Sequence, residues 1–433
     1  MNVLLVGQDM FRPQLACNGW DGMVTPNFDR LAGSSAHFTR NVCQVPPCAP
    51  SRASTLSGCR PETTRVFTNE GDPLGVTMPD VVTLPHQFKK HGYTSIGISQ
   101  IFHHMNKDDP HGWSEPLPRK LPVEHQLPEN RAIIAEKLAA AGYTYGDYSR
   151  KLPKELWPPV KLGPQTECAD VPDDGYRDGK TTLQAIARLQ QLRDEPFFLA
   201  VGYTATHHPW FAPKRYWDLY DDDALERMGS TSARGSEKRT IEHAYCACIS
   251  YLDAQLGMLL DALDRLELAD NTIVALWADH GGSAGMPRPM PTPMYHVPLM
   301  IRAPHMQPQR IEALTENVDL YPTLCELCDL PLPEHLEGCS LVPLMKDPGR
   351  AWKSATFSEL HGPDKTSHTM CTPRYEFSFE RPPNSDAFDN LRVRELTDPF
   401  DPTANLAELP EHADLVKSLL AQFKAGWRAG FLP

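Results

Sequence analysis

A chain of 433 residues, 41% hydrophobic and 22% charged, has the composition of a folded protein and the length for roughly two to three domains with a large buried core. Its 42 Lys and Arg against 55 Asp and Glu leave a net charge of −13. With no basic stripe, this argues against nucleic acid or an anionic membrane as a partner and leaves small anionic substrates open. No run of about 18 apolar residues is present, so no transmembrane span is predicted.

The chain enters an apolar run at once, at 3–6, with no basic segment and no small-residue cleavage site ahead of it, which sets the expectation of a cytoplasmic enzyme. Helices are predicted over 25–35, with Thr25-Pro26 as cap and first turn, and over 81–91, followed by a strand at 94–98. Pro-rich, irregular stretches at 104–130 and 152–175 read as long excursions on one side of a sheet, loops of the kind that shape a pocket. Helices at 174–193 and 237–266 and strands at 197–201, 273–277 and 298–301 follow. Within 237–266, Tyr245, Cys248, Leu252, Leu256, Leu259 and Leu263 recur at three- and four-residue spacing, one apolar stripe to lay against a sheet. Continuous apolar strands alternating with helices predict an α/β fold with a mostly parallel central sheet flanked by helices. From 351 the pattern changes to short strands at 355–358, 375–379 and 391–393 and a helix at 410–427. The expected division is a catalytic α/β domain over 1–350 and a small C-terminal α+β subdomain with antiparallel strands over 351–433.

Eleven cysteines without a framework spacing leave at least one thiol unpaired. Cys325-x-x-Cys328 and Cys246-x-Cys248 lie in helical runs and read as core packing rather than metal or redox pairs. The aromatic group Tyr203, Trp210, Phe211, Tyr216 and Trp217 around His207-His208-Pro209 suits either a sugar or aryl subsite or plain packing. The most informative segment is Pro47-Cys48-Ala49-Pro50-Ser51-Arg52-Ala53-Ser54-Thr55-Leu56-Ser57-Gly58. It places a thiol at a helix start, where free backbone N–H groups and the dipole favour an anion, with an arginine one turn on. Local physics leaves two readings, a buried cysteine before an ordinary helix and a reactive or anion-binding site.

Cys48-x-Pro50-Ser51-Arg52 followed by Leu56-x-Gly58 resembles the signature of the type I, formylglycine-dependent sulfatases of the alkaline-phosphatase-like superfamily. The resemblance runs on through Asn2 to Asp9, Thr25-Pro26-Asn27-Phe28-Asp29-Arg30-Leu31-Ala32, Ala278-Asp279-His280-Gly281, Val318-Asp319-Leu320-Tyr321-Pro322-Thr323 and Leu336-Glu337-Gly338. Arg60-Pro61-Glu62-Thr63-Thr64-Arg65, Ile101-Phe102-His103 and Ala200-Val201-Gly202-Tyr203 resemble the iduronate-2-sulfatase-like subgroup. It implies that Cys48 is converted by a formylglycine-generating maturation enzyme to the nucleophile that attacks a small sulfated substrate. It further implies Gln8, Asp9, Asp279, His280 and the modified Cys48 as metal ligands, for Ca²⁺ with Mg²⁺ as the alternative. Arg52 would orient the nucleophile, His103 and His207 would handle sulfate and the leaving-group proton, and Gln100, His104 and His208 would contact substrate.

Several departures fall in the site. The acidic pair usual at the end of the first strand is Gln8-Asp9, the pocket lysine before Ile101 is Gln100, and the lysine two residues before His207 is Ala205. After His280 a Gly/His-rich segment ending in a lysine is replaced by a shorter run, 281–290, with Arg288 or Lys214 as candidate substitute cations. Three readings follow: a sulfatase with an atypical site, a phosphate or phosphonate ester hydrolase of the same superfamily, and a noncatalytic anion-binding homologue.

Overall fold

The computed structural model describes residues 1–118, 121–144, 152–282, 292–382, 385, 387–396, 401 and 403–430. The central sheet is built from β1 (Asn2–Gln8), β2 (Ala36–Phe38), β3 (Thr94–Ser99), β4 (Phe197–Tyr203), β5 (Thr272–Ala278), β6 (Leu299–Arg302) and β7 (Gln309–Ile311), in the order β7-β2-β6-β5-β1-β4-β3. Four neighbours, β5-β1-β4-β3, are parallel, while β6 runs antiparallel to both β5 and β2. The uninterrupted apolar runs within β1, β4 and β5 follow from burial on both faces. Alternate residues go to opposite sides: Leu4, Val6, Leu199, Val201, Val274 and Leu276 enter one core, and Val3, Leu5, Phe198, Ala200, Ile273 and Ala275 the other.

Helices α1 (Pro26–Ala32), α2 (Cys48–Ser57), α3 (Leu84–Lys90), α4 (Pro128–Ala140), α5 (Arg177–Gln191), α6 (Glu237–Arg265) and α7 (Leu320–Leu327) surround this sheet. The predicted stripe on α6 is fully buried in the first core, together with Cys246 and Cys248. By length and composition α6 alone among the described helices could cross a membrane, but 83% of its apolar window is buried inside the protein. Cys325 and Cys328 lie in the second core as free thiols. Helix α2 is buried along all ten residues and ends at Gly58, whose φ of 70° is left-handed. A Cβ there would also come within 2.4 Å of Leu336, so glycine is required twice over.

Beyond these, β8 (Thr356–His361), β9 (Thr366–Cys371), β10 (Tyr375–Arg381) and β11 (Asp389–Glu395) form an antiparallel sheet in chain order, crossed by α8 (Ala413–Ala425). Met370, Phe377, Phe379, Val393 and Leu419 make its own core. Several elements were not anticipated, among them the three-residue strands β2 and β7. α4 buries only Asn130, Ile134 and Leu138, too sparse a stripe to register as helical periodicity, and β9 begins with the polar Thr-Ser-His-Thr. The antiparallel sheet is tied to the larger unit by Ser358 Oγ donating to the Cys43 carbonyl (2.6 Å) and by the Glu359 amide donating to Gln44 (2.8 Å). Beside this seam lies a buried network in which Lys353 Nζ meets Glu316 (2.8 Å) and Asp319 (2.7 Å), and Arg60 grips Glu316 with two nitrogens.

Candidate active site

Because β1, β3, β4 and β5 are parallel, their carboxyl ends meet along one edge, where open α/β sheets place ligands. Asp9 follows β1, Gln100 lies one residue past β3, and Asp279 follows β5. Residues 10 and 99 beside them are non-glycines with φ of 54° and 63°, backbone that a non-glycine residue adopts at a cost of about 1 kcal/mol or more. The strand register is carried into the site: the Asp279 amide donates to the Gln8 carbonyl (3.1 Å) and the Asp9 amide to the Tyr203 carbonyl (3.1 Å).

Helix α2 points its first residue at this edge. Its Cys48 Sγ lies 3.5 Å from Asp9 Oδ1 and 3.1 Å from His280 Nε2. One ligand atom from each of Asp9, Cys48, Asp279 and His280 lies within 4.8 Å of the others, and all four residues are buried. Arg52, one turn along α2 and fully buried, ties the two carboxylates together: Nε donates to Asp279 Oδ2 (2.8 Å), NH2 lies 3.4 Å from Asp9 Oδ2, and NH1 donates to the Gln100 and Ile101 carbonyls. Ser51 Oγ donates to the Asp279 carbonyl, and the Ala49 amide in the first turn donates to Asn69 Oδ1 (2.8 Å).

Electrostatics follow from this packing. Burial pushes the Cys48 thiol well up, reinforced by Asp9 and Asp279, so the unmodified side chain is a protonated, weak nucleophile. Burial also works against the Asp9 carboxylate, but His207, Arg52 and His280 outweigh it and hold Asp9 below its ordinary range. Asp279 moves up, because burial and Asp9 outweigh Arg52. Burial, His207 and Lys161 push His208 down to about 4, so it is neutral at pH 7. His280 Nδ1 faces the Gly281 carbonyl at 2.6 Å and His207 Nδ1 the His208 carbonyl at 2.7 Å. A carbonyl only accepts, so each Nδ1 carries a hydrogen and leaves Nε2 for the site.

The residues present fit a divalent cation. Two carboxylates are balanced by one buried guanidinium, and His280 turns Nε2 toward Cys48. Both amide atoms of Gln8 are buried with no hydrogen-bond partner among the described residues, and its oxygen is a hard donor one residue from Asp9. An oxygen-rich set of this kind suits Ca²⁺ or Mg²⁺.

A cavity of about 1070 Å³ opens over Asp9 and Cys48 and is lined also by Gln100, His103, Ala205, His207 and His208. The structure thus brings Asp9, Cys48, Arg52, Gln100, Asp279, His280, His103, His207 and His208 to one place. His104 does not line the cavity; it packs edge-on to His103, with ring centroids 4.7 Å apart. Lys214, expected as a substitute cation, is exposed, paired with Asp218 and away from the cavity lining, while Arg288 lies outside the described residues. The described cations on the lining are instead Lys161 and Arg177. Arg177 donates to Thr204 Oγ1 and the Leu121 carbonyl, beside Ala205. Sequence reasoning missed both, along with Asn69, since no motif marks them. Of the aromatic group, Phe211 reaches the cavity, whereas Tyr203, Trp210 and Tyr216 are core.

A mostly parallel sheet with a cluster of candidate cation ligands at the start of a buried helix, and a small antiparallel subdomain beside it, defines the alkaline-phosphatase-like sulfatase architecture. The chain belongs to the sulfatase family: the model described as Sulfatase matches residues 2–330, and that of the N-sulphoglucosamine sulphohydrolase C-terminal region matches 287–424. A sulfatase of Formosa agariphila is 27% identical over 99% of this chain and 88% of its own. Iduronate 2-sulfatase of Mus musculus is 30% identical over 78% and 72%, and choline-sulfatase of Rhizobium meliloti 29% over 79% and 71%. Among solved structures, a phosphonate monoester hydrolase from Silicibacter pomeroyi superposes with a TM-score of 0.72 at 22% identity, covering 99% of this chain and 96% of that one. A 2-O GAG sulfatase gives 0.70 at 19%, covering 98% and 91%. By family the protein is a sulfuric ester hydrolase.

Proposed function

We propose that the protein hydrolyses a small sulfate ester with a formylglycine at position 48, made by a maturation enzyme, and a divalent cation, Ca²⁺ in the first instance. The observation that carries this reading is the convergence of Asp9, Cys48, Asp279 and His280 at the N-terminus of α2, with Asp9 and Cys48 lining the cavity. The aldehyde hydrate supplies the nucleophile toward sulfur, and the cation supplies Lewis-acid charge.

The chain's own residues do the rest. Asp9, Asp279, His280 and the Gln8 oxygen would hold the cation. Arg52 pairs with both buried carboxylates and holds them aligned. Helix α2 presents the positive end of its dipole to the sulfate end of the substrate, favouring its negative charge, while its Ala49 and Ser51 amides stay engaged with Asn69 and the Pro47 carbonyl. His207 has Nε2 left to hold the proton that the departing alcohol oxygen requires when its bond to sulfur breaks.

The test has two arms. Intact-mass measurement of protein made with a maturation enzyme reads the replacement of the Cys48 thiol by an aldehyde. Turnover of an aryl sulfate and of an aryl phosphodiester is then compared with and without Ca²⁺, with Cys48→Ala as control. Sulfate release that needs both the aldehyde and the cation is expected. Preference for the phosphodiester would reassign the reaction, and inactivity of converted, Ca²⁺-loaded protein on both esters would leave an anion-binding role.

A further inference from the structure

The cavity over Cys48 is far larger than a sulfate, and its lining is chemically mixed. One part carries Asp9, Cys48, Gln100 and the histidines. Another is built by the two excursions that the sequence marks as Pro-rich. Residues 121–124 contribute Leu121, Pro122 and Val123, and residues 152–161 contribute Leu152, Trp157, Pro158 and Val160. The charged groups these segments add are Glu124 and Lys161. Of the other polar side chains on the lining, Arg177 meets Thr204 and the Leu121 carbonyl, Asp178 accepts from the Thr204 amide (2.9 Å), and Asn69 accepts from the Ala49 amide.

We infer, resting on the sulfate-ester reading above, that the alcohol released at this site is apolar, an alkyl or aryl group seated against the wall formed by residues 121–123 and 152–160. A sugar brings several hydroxyls that must exchange water for donors and acceptors, and each one left unpaired against Leu, Val and Pro costs about 1–3 kcal/mol. Among the described residues of that wall the side chains able to receive them are Glu124, Lys161 and the Trp157 indole N–H, against the purely apolar Leu121, Pro122, Val123, Leu152, Pro158 and Val160. An apolar alcohol is penalised by none of this and gains from every carbon it buries. Trp157, 51% exposed, is the large apolar surface such a group would cover. Pro122 and Pro158 restrict the backbone on both segments, so the wall is arranged before the ligand arrives.

An n-alkyl sulfate series from butyl to octyl isolates this effect, because the chemistry at sulfur stays constant while the buried chain grows. For the converted, Ca²⁺-loaded enzyme kcat/KM is expected to rise about fourfold per methylene until the wall is covered. Octyl sulfate should outcompete glucosamine 6-sulfate and choline sulfate. Trp157→Ala and Val160→Asp are expected to flatten the slope, and a second variant guards against misfolding of the first. A flat series in the native enzyme, or preference for either polar sulfate, overturns the inference. Calorimetry of the same series separates it from the hydrolytic reading: binding that strengthens with chain length without turnover supports the wall and removes the hydrolase, whereas neither binding nor turnover removes both.

Discussion

At Arg52 one guanidinium compensates two buried carboxylates. Arg52→Ala would leave Asp9 and Asp279 together without a counter-charge, and removing one partner of a buried pair costs about 3–5 kcal/mol. A loss of that size in urea unfolding is expected, and Arg52→Lys should recover only part, since an ammonium cannot reproduce the fork that reaches Asp9, Asp279 and two carbonyls. Gln100 and Ala205 sit on the cavity lining, at the two positions where the family resemblance leads one to expect lysines. Gln100→Lys with Ala205→Lys is therefore expected to tighten inorganic sulfate binding about tenfold or more by calorimetry, as charge-assisted contacts replace neutral ones. Unchanged affinity would contradict the assignment of both positions to the anion site.

Among the elements, the turn Asn317–Asp319 and the segment around Lys353 lock the antiparallel sheet to the catalytic unit. Lys353→Met removes the ammonium between Glu316 and Asp319, both buried, and should destabilise by about 3–5 kcal/mol in chemical denaturation. Glu316 is opposed by burial but pulled down to about 2 by Arg60 and Lys353. Its folded value lies below its ordinary one, so its contribution is fully present above pH 4.5 and is lost as pH falls toward 2. Strand β2 holds a second acid-sensitive group. Burial, with Arg310 near by, pushes His37 down to about 4 from 6.5. Above pH 6.5 the ring is neutral in both states. Between 6.5 and 4 the unfolded chain takes up a proton that the folded chain refuses, so stability falls as pH is lowered. His37→Gln is expected to flatten the thermal-midpoint profile over this window.

Over the whole molecule, the cation site joins β1, β5 and α2, segments far apart along the chain, so an ion bound there holds only the folded state. Ca²⁺ at about 100 times its dissociation constant should add about 2.7 kcal/mol, read as a raised thermal midpoint by calorimetry. Asp9→Asn should abolish that rise even in unconverted protein. A midpoint indifferent to Ca²⁺ and Mg²⁺ alike would exclude the proposed ligand set.

Much of this architecture was legible because it is local. The runs at 3–6, 197–201 and 273–277 are apolar without interruption, as strands buried on both faces tend to be, and an aspartate, Asp9 or Asp279, follows the strand that contains the first and the last of them. Helix α2 announces itself by Cys48, Pro50 and Gly58, each required by the backbone or the chemistry at its own position. Only the folded chain decided which cations face the cavity, since Lys161 and Arg177 reach it while Lys214 turns away to Asp218. Only the fold showed that Gln100 donates to Asp9 and that two irregular segments meet as an apolar wall. Backbone conformation answers mainly to neighbours in sequence, whereas the partner a side chain finds depends on residues brought together across the whole chain.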